Sequence, residues 1–167
     1  MTRQSNESQR TPAGFFSGSR APLPTRCASI VLRAVVSATV LVHATGFALL
    51  LRAFIKSRAV PPTQTWPIAW LLIRVTWSLI LIHAAEITLW ALVYLWAGCV
   101  PDAESAFYFS GATYTTIGYG DLVLAKPWRI LGPVEGLTGI LMCGLSAGLF
   151  FALVTRIYQA RLEHQTK

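Results

Sequence analysis

The sequence predicts an all-α membrane protein with three transmembrane helices and one short re-entrant segment. Three observations carry the prediction. Hydrophobic residues make up 54% of the 167 residues and charged residues only 13%, too little polar surface for a soluble domain of this length. The apolar residues gather into three runs long enough to cross about 30 Å of hydrocarbon. Between the second and third runs lies Pro101–Asp121, which is too short and too polar to span.

Residues 1–29 are rich in Ser, Thr, Arg, Pro and Gly, with Glu7 the only acid. Such a segment cannot bury a core and is expected to be disordered. Its basic, acid-poor composition also resembles a transit peptide. The first span is expected at Ile30–Leu51, with Arg33 snorkelling to the headgroups. A cleaved signal peptide ending at "VHA" is the rival reading, although the apolar run continues past it. Arg52–Thr65 is a basic loop containing Pro61 and Pro62. The next run, Trp66–Cys99, would be about 50 Å long as one helix. Trp66–Arg74 is therefore expected at the interface and the outer helix at about 75–96. Trp66 and Trp70 at one end, with Trp90 and Trp96 at the other, fit aromatic belts. The last helix is expected at 128–158, closing a domain over 66–158.

The net charge of +7 is better assigned to span-flanking lysines and arginines meeting anionic headgroups than to nucleic acid. Cys27, Cys99 and Cys143 have no metal-site spacing. Cys27 and Cys99 could bridge if they share a face, with free thiols the simpler expectation. Serines, histidines and acids are scattered without a nucleophile motif, so no enzyme and no small-molecule substrate is expected.

Within 101–121, Asp102 after Pro101 is a plausible helix N-cap, and Glu104 falls where the helix dipole favours an acid. A short re-entrant helix is expected over 103–115, its carboxyl end pointing into the membrane. The chain must return through "TIGYG", Thr116–Gly120. Non-helical backbone at membrane depth is tolerated where protein buries it or where it lines a water-filled cavity. Gly118 and Gly120 can take positive φ without a Cβ clash. Alternated with Thr116, Ile117 and Tyr119, they can turn successive carbonyls to one side.

"TTIGYGD", Thr115–Asp121, resembles the filter sequence of the potassium channel family. The order of outer helix, re-entrant helix, filter and inner helix matches that family's pore module. With a leading span, the layout resembles small bacterial channel proteins of the two-pore-domain-like superfamily that carry one pore loop. The resemblance implies a pore helix at 103–115 and a selectivity filter at 116–120. It implies K+ held by the backbone carbonyls of Thr116, Ile117, Gly118 and Tyr119, with the Thr116 hydroxyl at the inner site. Gly120 would close the outer end and Asp121 would draw cations at the mouth. Thr115, Tyr108 and Phe109 would support the filter. One filter per chain implies a homotetramer in a lipid bilayer, with permeant K+ and no cofactor. A multi-pass protein of a bacterial inner membrane is expected. Ile117 stands where valine is commoner. Ala112 stands where some members carry a carboxylate behind the filter, and Tyr108 and Phe109 replace tryptophans.

An outward filter places the N-terminus outside and the C-terminus in the cytoplasm. It also sets His43 at the depth of Glu86, so His43, His83 and Glu86 are expected to form a polar cluster, as a constitutive clamp or a proton-sensitive gate. Glu135 is a second intramembrane carboxylate. The resemblance puts a gating hinge near Gly139, with Gly144 second. Pro133 is expected to kink the inner helix. No span carries arginine at every third position, so no voltage sensor is expected, nor is a ligand-binding domain after Tyr158. Passive potassium conduction is the leading expectation. A weakly selective cation channel and a non-conducting subunit are the alternatives.

Overall fold

The computed structural model describes residues 25–56 and 65–165. The elements in order are α1 (Thr25–Lys56), α2 (Thr65–Trp96), α3 (Ala103–Tyr114), a single 3-10 turn (Lys126–Trp128) and α4 (Leu131–Gln165). Among the described residues, three stretches are long and apolar enough to cross a membrane: Ser29–Phe54, Trp66–Trp96 and Leu131–Glu163.

Residues 1–24 of the expected tail, and 57–64 of the basic loop, lie outside the described residues. Thr25–Ser29, assigned to the tail by composition, instead forms the first turn and more of α1. Once the apolar span has nucleated a helix, propagation backwards is cheap until a breaker intervenes. Likewise α2 is one helix from Thr65, with no break at Val75. Pro67 sits in its first turn, where a missing N–H removes no intrahelical bond. The same reasoning corrects the expected kink. Pro133 is the third residue of α4 and therefore helps to start that helix.

The turn from α2 to α3 is closed by hydrogen bonds. Gly98 adopts φ 66°. The amide of Cys99 reaches the Tyr94 carbonyl, and that of Gly98 reaches the Leu95 carbonyl, both at 3.0 Å. This Schellman arrangement satisfies the last carbonyls of α2. Asp102 then caps α3, accepting from the Ser105 amide at 2.8 Å and its hydroxyl at 2.9 Å. Those bonds hold the Asp102 carboxyl below the usual carboxylate range. Cys99 and Cys143 are free thiols, and burial pushes Cys99 up to about 12.

The short α3 wedges between α2 and α4. Its buried residues are Ala106, Ser110 and Tyr114, four apart and so on one face. A core of Trp90, Tyr94, Tyr114, Trp128, Leu131 and Met142 forms around it. A second core, built on Val75, Leu79 and Leu153, joins the other ends of α1, α2 and α4. Polarity is inverted relative to a soluble protein. Trp66, Leu41, Leu81 and Phe151 are exposed, whereas Glu86, Glu135 and His43 are buried. Lipid favours this distribution, since a charge in hydrocarbon must face a partner or a cavity.

Candidate functional site

The loop after α3 departs from ordinary backbone at alternate residues. Thr116 has φ 62°, Gly118 φ 54° and Gly120 φ 78°. Glycine accepts this region freely, whereas a β-branched residue there is strained. Sequence reasoning identified the two glycines and missed Thr116, because nothing in threonine's chemistry announces a left-handed φ. Alternating handedness sends successive amides to one side and carbonyls to the other.

Hydrogen bonds fix which side is which. The Thr116 amide donates to the Thr113 carbonyl at 2.9 Å, and the Gly118 amide to the Ala112 carbonyl at 3.0 Å. A trans peptide places its C=O opposite its N–H. The carbonyls of Thr115 and Ile117 therefore point away from α3. Residues 115–121 are exposed on that open side. Thr115 is anchored by its hydroxyl on the Gly111 carbonyl at 2.7 Å. Ala112 provides no carboxylate, but its carbonyl ties the loop to the helix.

Tyr108 lies on the loop side of α3. Its ring stacks on Tyr119 at 6.3 Å and 8°, and its hydroxyl donates to Asp121 at 2.7 Å. That bond holds the Asp121 carboxyl below its ordinary range. Phe109 faces the other way. It meets Tyr94 edge-on at 5.1 Å and 86°, so it braces α3 against α2 and makes no such contact with the loop.

Two buried carboxylates grip the inner face of α3. Glu86 on α2 receives His43 Nδ1 at 2.7 Å and lies 3.3 Å from His83 Nδ1. The structure thus brings together the three residues expected to cluster, His43 matched to Glu86 by depth and His83 one turn before it. The Tyr114 hydroxyl also donates to Glu86, and His83 Nε2 lies 2.9 Å from the Ser146 hydroxyl on α4. These last two partners were missed. A tyrosine at the end of α3 and a serine in an apolar helix give no hydropathy signal.

Glu135 on α4 has its own partners. Tyr94 donates to it at 2.6 Å and Ser110 at 2.5 Å. Ser110 also reaches the Ile87 carbonyl at 2.9 Å. Ser110 and Tyr114 are four residues apart on α3, a spacing that could have been read as one polar face.

The two hinge candidates have different surroundings. Gly139 is buried, and a Cβ there would collide with the Tyr114 carbonyl. Only glycine allows α4 so near the end of α3. Gly144 is exposed, with open space where a Cβ would stand.

No curated protein and no solved structure matches the chain. Residues 79–156, just under half of the 167, match the family described as an ion channel, and the match spans α3, the 115–121 loop and both buried carboxylates.

Proposed function

We propose that four copies of the chain form a potassium-selective pore in a cell membrane. The 116–120 loops would line its axis and K+ would pass without a resident cofactor. The observation that carries the reading is the run of left-handed φ at Thr116, Gly118 and Gly120, with amides tied back to α3. Carbonyls freed in this way can replace the hydration shell of a monovalent cation. One loop supplies oxygens from one side only, so a complete cage needs several chains around an axis.

The ion-channel match over residues 79–156 supports the same reading. So does the exposure of Ile117 and Tyr119, which neighbouring copies would cover. Asp121 stands at the outer end as a carboxylate that attracts cations. With an outward loop, three spans would put the N-terminus outside and the C-terminus in the cytoplasm.

The test is flux through purified protein in liposomes. The reading predicts K+ uptake that Na+ does not match and that Gly118→Val abolishes, because valine resists a φ of 54°. Equal flux of both ions would contradict selectivity. K+ flux unaffected by Gly118→Val would contradict the assignment of the loop.

A further inference from the structure

The Glu86 cluster contains more donors than one carboxylate requires, and counting protons shows where another would go. The titratable groups around it come from every packed helix: Glu86 and His83 from α2, His43 from α1, Tyr114 from α3 and Cys143 from α4, beside Ser146. The Tyr114 proton is committed to Glu86. His43 donates from Nδ1 to the other carboxylate oxygen. Its Nε2 is buried with no partner, and a proton there would be an unsatisfied buried donor. The geometry therefore favours the Nδ1–H tautomer of His43.

His83 is placed differently. Its Nδ1 lies within reach of Glu86 and, at 2.9 Å, of the Tyr114 oxygen. Its Nε2 faces the Ser146 oxygen at 2.9 Å. A doubly protonated His83 finds an acceptor on each side. Its ring is 19% exposed, against 3% for His43, so it is the more open of the two rings.

We infer that His83 is a proton-binding site of the membrane interior and links the foot of the 116–120 loop to α4. Neutral His83 takes the Ser146 proton on Nε2. When Nε2 gains its own proton from solvent, Ser146 becomes the acceptor and its hydroxyl hydrogen must turn elsewhere. The Met142 carbonyl lies four residues back, the same position relative to Ser146 as the carbonyls that accept from Thr39, Thr76, Ser78, Thr88 and Thr138. Such back-bonding bends helices. Protonation also draws Glu86 towards His83 and away from Tyr114, two residues before the left-handed Thr116. A divalent ion is disfavoured at the same residues. Ligation through Nδ1 would force the His43 proton onto its orphaned Nε2, whereas metal-bound histidines ordinarily donate that N–H.

The proton site stands independently of conduction; only its coupling to flux rests on the proposed pore. Imidazole 15N NMR of the full chain in lipid nanodiscs, from about pH 8 to pH 5, tests it. His83 is expected to become doubly protonated while His43 keeps a bare Nε2. Ser146→Ala removes one acceptor of the cation and should lower the His83 midpoint by about one pH unit. Protonation of His43 first, no titration of His83 in that range, or a midpoint unmoved by Ser146→Ala would overturn the assignment. So would one Zn2+ bound per chain that displaces the Nδ1 protons of both rings. If the pore conducts, its pH profile should flatten in His83→Asn and persist in His43→Asn; the reverse would overturn the coupling.

Discussion

Glu135 meets two hydroxyls, from Tyr94 and Ser110, whereas Glu86 meets one hydroxyl and two imidazoles. Both carboxylates are fully buried, both close on the same face of α3, and each costs several kcal/mol to desolvate. Hydroxyl donors keep their protons across the physiological range, while imidazole is the side chain whose charge changes within it. One carboxylate, at the middle of α3, is thus held by donors that do not change charge. The other is a brace whose strength varies, placed where α3 runs into the loop. Two clusters alike in burial differ in kind because of their donors.

The largest effect should come from removing the variable brace altogether. Glu86→Ala leaves His43, His83 and Tyr114 without their common acceptor, a loss of about 1–3 kcal/mol for each buried donor left unmatched. Thermal unfolding in detergent should show it as a strong fall in midpoint or a failure to assemble. A small change would mean that the cluster does not hold α3.

Next comes the approach that lets both carboxylates reach. Gly139→Ala drives a methyl into the Tyr114 carbonyl and should cost about 1–3 kcal/mol by overpacking. Gly144→Ala adds its methyl to open space and should leave the stability of the single chain nearly unchanged. Equal effects at the two sites, measured by unfolding, would contradict the close contact seen at Gly139.

A gentler pair separates the clusters directly. Glu135→Gln keeps an acceptor oxygen, and a rotatable hydroxyl can accept from the new amide. Glu86→Gln sets an amide N–H against rings with less freedom, because His43 cannot move its proton to Nε2 without orphaning it. Glu86→Gln should therefore be worse by about 1 kcal/mol, one unmatched hydrogen bond. Parity between them would mean that the imidazoles adapt as easily as hydroxyls.

The smallest effect is at the loop after α3. Tyr108→Phe removes the donor to Asp121 at an exposed site, so stability should hardly change. The pH sense is opposite to that of the histidine cluster. A carboxyl held low in the folded chain stabilises above its unfolded range and loses that contribution only as pH falls through the lowered value. Acidification to about pH 5 should thus leave the Tyr108–Asp121 bond intact while the His83 site responds. Loss of the Tyr108–Asp121 contact in that range, followed by tyrosine NMR, would contradict the lowered Asp121.

Much of this arrangement is legible in the sequence. The spans follow from apolar runs, and α3 from Pro101, Asp102 and Glu104. The loop follows from Gly118 and Gly120. His43 and Glu86 were matched through their depth along two antiparallel helices. What escaped were residues whose meaning is set by tertiary contact. Tyr114, Ser110, Tyr94 and Ser146 are ordinary helix residues until a carboxylate or an imidazole from another helix meets them. The left-handed Thr116 belongs to the return of the chain against α3, not to threonine itself. Helix starts also escaped: α2 runs unbroken from Thr65, and Pro133, expected to kink α4, acts as a first-turn residue.

The central claim concerns the assembled loop, and a cryo-electron microscopy structure of the protein in lipid nanodiscs with K+ tests it most directly. The account predicts four chains around one axis, with the carbonyls of Thr116, Ile117, Gly118 and Tyr119 facing it and ion density between them. A 116–120 loop facing lipid, or an assembly in which the loops do not meet on a common axis, would contradict it.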